Sequence, residues 1–331
     1  MNYFIKKLLF LLPPETAHNF TLKSLQTAYH LGILRPKTPI KSTPHTVMGL
    51  TFPNRLGLAA GLDKNADYIE SLATLGFGFI EIGTVTPKPQ LGNPKPRLFR
   101  LVEHEALINR LGFNNKGLDY VVEKLKHTSY KGILGVNIGK NRDTTIDNAV
   151  EDYLIGFRRV APYASYVTIN ISSPNTAALR DLQHGDLLRV LLKKLKDEQA
   201  RQPHYVPLVV KIAPDLVQSE LENIADILLS EKIDGVIATN TTIQREDISS
   251  SPYANELGGL SGKPLFAKST QLLQSLHLLL QNKIPIIGCG GISSAEDARQ
   301  KIEHGAELVQ LYTGLVYRGP NLVTDIVKHL L

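Results

Sequence analysis

A single cysteine, Cys289, occurs in 331 residues, so no internal disulfide can form and a cross-linked secreted scaffold is excluded. No apolar run approaches the ~18 residues needed for a membrane-spanning helix. No H-E-x-x-H segment is present and the ten histidines are scattered, so a catalytic metal is not expected. Gly288-Cys289-Gly290-Gly291 does not match G-x-G-x-x-G, which disfavours a nicotinamide Rossmann site. Short-period repeats and low-complexity tracts are missing as well, which argues against a solenoid. What remains is 43% hydrophobic and 21% charged, with 25 Gly and 19 Pro: an ordinary globular chain with enough apolar material for a large core.

The net positive charge is nearly confined to one end. The formal net charge is +6, and residues 1–41 supply +5 of it through Lys6, Lys7, Lys23, Arg35, Lys37 and Lys41 against Glu15 alone. A nucleic-acid binder spreads basic residues over a folded face, so no nucleic-acid partner is expected. Residues 3–12 read YFIKKLLFLL, Pro13-Pro14 breaks the run, and apolar residues from Ala17 to Tyr29 recur near helical spacing. The stretch Leu8–Leu12 is too short for the apolar region of a signal peptide, and no small-residue cleavage site follows. Two readings stay open: a helical hairpin that caps the main domain, or an interfacial hairpin lying on a membrane. A well-inserted Leu or Phe contributes roughly 1.5–3 kcal/mol, and each Lys or Arg about 1 kcal/mol near an anionic surface. That is enough for reversible peripheral binding and too little for an anchor.

Past a Pro-containing linker over 36–44, eight short apolar runs alternate with amphipathic stretches. Strands are predicted over 56–61, 79–84, 133–138, 166–171, 207–213, 235–240, 285–290 and 308–313. Helices are predicted near 66–75, 118–128, 145–161, 187–201, 218–231, 264–281, 294–304 and 322–330. Continuous apolar strands between helices indicate a parallel sheet covered on both faces. Eight such units fit a closed (β/α)8 barrel better than a doubly wound sheet. The expected organisation is an amphipathic helical extension over 1–41 followed by a catalytic barrel over 42–331. The longest connections (85–117, 172–186 and 241–263) should lie on the C-terminal rim, where a barrel keeps its function.

The strand ends carry Lys64, Thr84, Asn137, Asn170 with Ser173 and Asn175, Lys211, Thr239-Asn240-Thr241, Gly290-Gly291 and Tyr312-Thr313. Singly, each Asn or Thr reads as a turn or helix cap. Together they suit a flat ligand rich in amide donors and acceptors, because Asn supplies both. Gly290-Gly291 before a helix, with Tyr312-Thr313-Gly314 closing the last strand, marks the usual phosphate position of a barrel. A flavin mononucleotide (FMN) fits: phosphate at strands 7 and 8, ring across the mouth, and Lys211 near its pyrimidine edge. A Schiff-base lysine or a plain salt bridge are the rivals for Lys211. Cys289 reads as packing within a buried strand.

At this point three strings, Ala59-Ala60-Gly61-Leu62-Asp63-Lys64-Asn65, Glu81-Ile82-Gly83-Thr84-Val85-Thr86 and Asn109-Arg110-Leu111-Gly112-Phe113-Asn114-Asn115, resemble the dihydroorotate dehydrogenase family. So do Asn170-Ile171-Ser172-Ser173-Pro174-Asn175-Thr176 and Leu260-Ser261-Gly262-Lys263-Pro264-Leu265. The resemblance implies FMN held by Ala60, Gly61, Thr84, Asn137, Asn170, Lys211, Thr239, Gly262, Gly291, Tyr312 and Thr313. It implies dihydroorotate held by Lys64, Asn109, Arg110, Leu111, Gly112, Phe113, Asn170, Asn175, Asn240 and Thr241. Ser173 stands where the soluble class carries a cysteine base, and the N-terminal extension resembles that of the membrane-associated class. The expectation is therefore the quinone-dependent class, bacterial in type, peripheral on the cytoplasmic face of the cell membrane. Ser173 would take the C5 proton of dihydroorotate, the C6 hydride would pass to the flavin, and ubiquinone or menaquinone would reoxidise it. His18, Arg100 and Tyr312 resemble the residues lining the family's quinone tunnel, though His18 could equally be an exposed helix residue. A barrel lyase, a non-catalytic membrane-binding module and a soluble-type enzyme using fumarate are the competing functions.

Overall fold

In a computed structural model of the chain, residues 3–35 and 43–330 are described. The linker expected over 36–44 and the boundary expected at 41/42 lie outside them, residues 43 and 44 apart. Helices α1 (Tyr3–Leu11) and α2 (Pro14–His30) form the N-terminal hairpin. Pro13-Pro14 separates them for a local reason: Pro14 sits in the first turn of α2, where its missing N–H costs nothing, and Glu15 follows at the positive end of that helix.

Eight parallel strands close into a barrel: β3 (Leu56–Leu58), β4 (Phe79–Val85), β7 (Ile133–Ile138), β8 (Tyr166–Asn170), β9 (Leu208–Ile212), β10 (Gly235–Ala238), β12 (Ile286–Cys289) and β13 (Ala306–Leu311). Each overlaps one of the expected strands; β4 runs one residue past its expected end and β13 begins two residues before its expected start. Helices α3 (Ile69–Ala73), α4 (Gly117–His127), α5 (Ala149–Val160), α6 (Gly185–Gln199), α7 (Gln218–Ser230), α8 (Phe266–Leu280), α9 (Ala295–Glu303) and α11 (Asn321–His329) follow in alternation. Their Leu, Ile and Val faces and the outward residues of the strands make the main core. A second, inner core fills the cylinder with Phe79, Tyr166, Val209, Ile237, Ile287 and Leu308.

Three features differ from the sequence reading. A short hairpin, β1 (His45–Val47) and β2 (Leu50–Phe52), plugs the bottom of the barrel, with Phe52 edge-on to Phe79 at 5.1 Å. Two of the long rim connections are not irregular: β5 (Leu98–Leu101), β6 (Ala106–Asn109) and β11 (Gly259–Gly262) pair into an antiparallel sheet over the mouth. The first and last barrel strands end early. β3 stops at Leu58 because Ala59–Gly61 turns along the cavity, and β13 stops at Leu311 because Thr313 opens a further short helix, α10 (Thr313–Arg318).

Candidate active site

The C-terminal ends of the barrel strands surround a cavity enclosing about 950 Å³. Its floor is an amide-and-hydroxyl cluster. Asn170, at the end of β8, donates from Nδ2 to Thr84 Oγ1 (3.0 Å) and Asn137 Oδ1 (3.2 Å), while Thr84 Oγ1 donates to the same Asn137 oxygen at 2.6 Å. Asn170 Oδ1 accepts from Ser172 and from Asn240 Nδ2 at 3.3 Å. Three strands thereby fix one another's polar side chains at a buried position, where an unmatched amide costs roughly 1–3 kcal/mol.

Below that layer lies Glu81 of β4, completely buried. Its carboxylate accepts from Asn137 Nδ2 (2.8 Å), the Tyr166 hydroxyl (2.9 Å) and Gln310 Nε2 (2.8 Å). Burial, with the negative charge of Glu81 adding to it, pushes the Tyr166 hydroxyl well above the ordinary tyrosine value, so it stays a donor. The carboxylate holds Asn137 with its Oδ1 facing the rim.

Ser173 lies 6% exposed on the cavity wall, its Oγ accepting from the backbone N–H of Asn175 at 3.3 Å. Asn175 Nδ2 donates to Asn109 Oδ1 at 3.1 Å, joining the β8 loop to β6. Lys64 reaches the cavity with its Nζ on Asn114 Oδ1 at 2.9 Å; burial chiefly, and the nearby Arg97 charge, push its ammonium down to about 8. Lys211, Thr239, Asn240, Thr241, Leu111, Gly112 and Phe113 also line the space. Arg110 is the exception among the expected substrate residues: its guanidinium pairs with Glu256 and lies 4.6 Å from the Phe99 ring, away from the cavity. Asn137 sits one layer down, reaching the cavity through Thr84 and Asn170. Cys289 is buried as expected, yet it also lines the cavity.

The residues fit a phosphorylated flat ligand. Gly290-Gly291 and Thr313-Gly314 edge one side of the cavity, and among the described residues the backbone N–H groups of Gly291, Ile292, Thr313 and Gly314 have no protein acceptor. Four unmatched donors from two adjacent loops make an anion nest. Gly291 has φ +79, and a Cβ there would sit 2.3 Å from Phe266 Cα, so the loop requires glycine. Gln310 Oε1, a buried acceptor at the cavity wall, is likewise unpartnered.

A second cavity, about 980 Å³ and almost wholly apolar, opens between the hairpin and the barrel. Leu9, Phe10, Ala17, Leu22 and Leu25 line one side and Leu62, Leu98, Leu107, Leu315 and Val316 the other. Its polar side chains are His18, Thr21, Arg100 and Tyr312, so all three expected tunnel residues come together there. Arg100 lies 4.3 Å from the Phe10 ring and donates to Phe10 O at 3.0 Å. Tyr312 borders both cavities, its ring 3.2 Å from where a Cβ on Gly61 would be; burial pushes its hydroxyl up to about 12. Glu81, Gln310, Ser172 and Ser261 were not singled out in the sequence. Only Glu81 carried a signal, a carboxylate inside an otherwise apolar strand.

The dihydroorotate dehydrogenase family model matches residues 43–331. The chain belongs to the dihydroorotate dehydrogenase family. A dihydroorotate dehydrogenase (quinone) of Acinetobacter baylyi is 55% identical over 98% of this chain and 97% of its own length. Another from Nitrosomonas eutropha is 56% identical over 98% and 96%. These relatives place the chain in the quinone-dependent class, oxidoreductases of pyrimidine biosynthesis. Two crystal structures of the Eimeria tenella DHODH, one in complex with ferulenol and one ligand-free, superpose with TM-scores of 0.89. They are 40% and 41% identical, covering 96% of this chain and 90% and 94% of theirs.

Proposed function

We propose that the enzyme oxidises (S)-dihydroorotate to orotate in the rim cavity, with FMN as bound redox carrier, and delivers the electrons to a membrane quinone in the apolar tunnel. The observation that carries this reading is the junction of a polar, amide-floored cavity and an apolar tunnel at one side chain, Tyr312. FMN, when bound, would supply the hydride acceptor and the redox carrier between substrate and quinone. Ala60, Gly61, Thr84, Asn137, Asn170, Lys211, Thr239, Gly262, Gly291, Tyr312 and Thr313 would hold it. The unmatched amide donors of the β12 and β13 loops suit its phosphate.

Lys64, Asn109, Asn175, Asn240, Thr241 and the Leu111–Phe113 backbone would bind dihydroorotate, Lys64 pairing with its carboxylate and the amides matching its ring. Ser173 would accept the C5 proton. A serine hydroxyl is a weak base. Burial on the cavity wall and the Asn175 N–H fix the direction of its lone pairs, and a water held in the rim would carry the proton onward. The N-terminal extension, residues 1–41, would lie on the cytoplasmic face of the bacterial membrane, leaving 42–331 as the catalytic domain. Leu8, Leu11, Phe20, Leu31 and Ile33 are 59–82% exposed on it, beside Lys6, Lys7 and Lys23. No described helix is long and apolar enough to cross a membrane, which agrees with surface attachment.

Replacement Ser173→Ala tests the reading. The variant should keep its flavin absorbance, while bleaching by dihydroorotate slows by about 10²-fold or more. Unchanged bleaching removes Ser173 from the role.

A further inference from the structure

The reaction sets a proton requirement that the two cavities described so far do not meet. Dihydroorotate gives up a proton from C5 and a hydride from C6. The hydride carries both electrons and one of the two hydrogens that the quinol needs. The C5 proton leaves through Ser173 on the rim side. One proton must therefore enter at the quinone oxygen for each turnover, into a tunnel walled almost entirely by Leu, Phe, Val and Pro.

A third cavity adjoins that tunnel. It encloses about 730 Å³ and is lined by Glu15, Asn19, Asp63, Asn65, Asp67, Asn114 and Lys116 among others, with solvent-exposed Asn19 and Lys116 at its edge. Among the described residues, four border both this polar chamber and the tunnel: His18, Leu62, Leu98 and Tyr312. The two leucines cannot carry a proton. Tyr312 also lines the rim cavity, and burial pushes its hydroxyl up to about 12, so it keeps its proton. His18 borders the chamber and the tunnel alone.

We infer that the polar chamber is the proton inlet for quinone reduction, and that the His18 imidazole passes protons from it to the quinone oxygen. The inference rests on the reading that the tunnel holds the quinone. An imidazole has two ring nitrogens, so it releases a proton from one as it gains a proton on the other and returns to the neutral form. The charged groups around it set that form. Lys64 and Glu15 face it across the chamber, with Asp63, Asp67 and Lys116 beyond and Arg100 on the tunnel side. Burial chiefly, then the Lys64 charge, with Glu15 opposing, bring His18 down to about 4, so the ring is neutral at pH 7. A neutral ring does not place a fixed cation in the apolar tunnel.

The test separates proton supply from quinone binding. His18→Leu should slow the return of flavin absorbance on mixing reduced enzyme with excess quinone by about 10²-fold, with a larger solvent deuterium isotope effect. Quinone affinity by calorimetry should change less than about threefold, and turnover with ferricyanide, which takes electrons without protons, should persist. Asn19→Phe, which fills the chamber from outside, should reproduce the slowing with His18 intact. A higher quinone KM for His18→Leu, at unchanged limiting rate and isotope effect, makes His18 a binding residue and overturns the inference. Ala17→Trp, which narrows the tunnel, serves as the control. If it raises the quinone KM while both other variants reoxidise normally, the tunnel stands and the inlet falls. If it leaves quinone kinetics untouched, the tunnel reading itself fails.

Discussion

Glu15 ties the N-terminal hairpin to Arg97 at the rim, and cutting that ion pair should detach quinone chemistry from substrate chemistry. Glu15, in the first turn of α2, accepts from Arg97 Nη2 at 2.7 Å and Nε at 3.3 Å. The Arg97 side chain is 8% exposed and Glu15 21%. The guanidinium also donates to Leu91 O (2.6 Å) and Asn93 O (3.0 Å), which keeps it in place when the carboxylate is lost. Glu15→Ala removes two charge-assisted hydrogen bonds, each worth roughly 1.5–3 kcal/mol before allowance for exposure, and leaves a nearly buried cation without its counterion. Lys95, 3.6 Å away and largely exposed, adds little. A loss of about 2–3 kcal/mol in docking of the hairpin follows, a factor of roughly 30–150 in its opening equilibrium. The barrel core is untouched, so the effect is local. Hydrogen exchange across α2 should accelerate by that factor and the quinone KM should rise, with dihydroorotate-driven bleaching unchanged.

The same pair sets a pH dependence. Burial alone would raise the Glu15 carboxyl, but the Arg97 hydrogen bonds and charge outweigh it and hold it below its ordinary 4.5. Its stabilisation is therefore complete above about 4.5 and is lost as pH falls through the lower folded value. Protection of α2 in the native enzyme should fall in that acidic window, and in Glu15→Ala it should not. Equal protection of α2 in the two proteins at neutral pH would refute the argument.

Two further replacements probe the cavity floor and its anion edge. Glu81→Ala strands donors on Asn137, Tyr166 and Gln310 in the barrel interior, and should cost about 3–5 kcal/mol in denaturant titration. Gly291→Ala must move the Phe266 backbone at a positive φ, so the purified protein should carry less flavin than the parent while its far-ultraviolet dichroism is unchanged.

The barrel was legible because its strands are continuous apolar runs between amphipathic helices, and eight of them leave little choice of architecture. The rim residues were legible as a set because polar side chains at strand ends are conspicuous beside such runs. The bottom hairpin escaped because its turn, Met48-Gly49, places both residues at positive φ, and methionine gives no hint of that. The mouth sheet escaped because Leu98–Leu101 and Ala106–Asn109 are four-residue strands inside a long connection, and β11 comes from a connection about 150 residues later. Arg110 was placed in the cavity by its neighbours in the motif. Glu256, far away in sequence, and the Phe99 ring on the paired strand draw its guanidinium away. The polar chamber is invisible in sequence, since its lining comes from α2, the β3 loop, the start of β5 and the segment before α4.

The register of that mouth sheet binds two compartments into one mechanical part. Leu98 pairs with Asn109 and Arg100 with Leu107, so one side of the ribbon offers Leu98, Arg100 and Leu107 to the greasy passage and Asn109 to the rim cavity. The reverse side, Phe99, Leu101, Ala106 and Ile108, is clamped in a small apolar cluster with Ile248 and Leu260. Slippage by a single position would rotate Arg100 out of the passage and swing Phe99 inward. Neither cavity can be retuned by sliding this ribbon without disturbing the other.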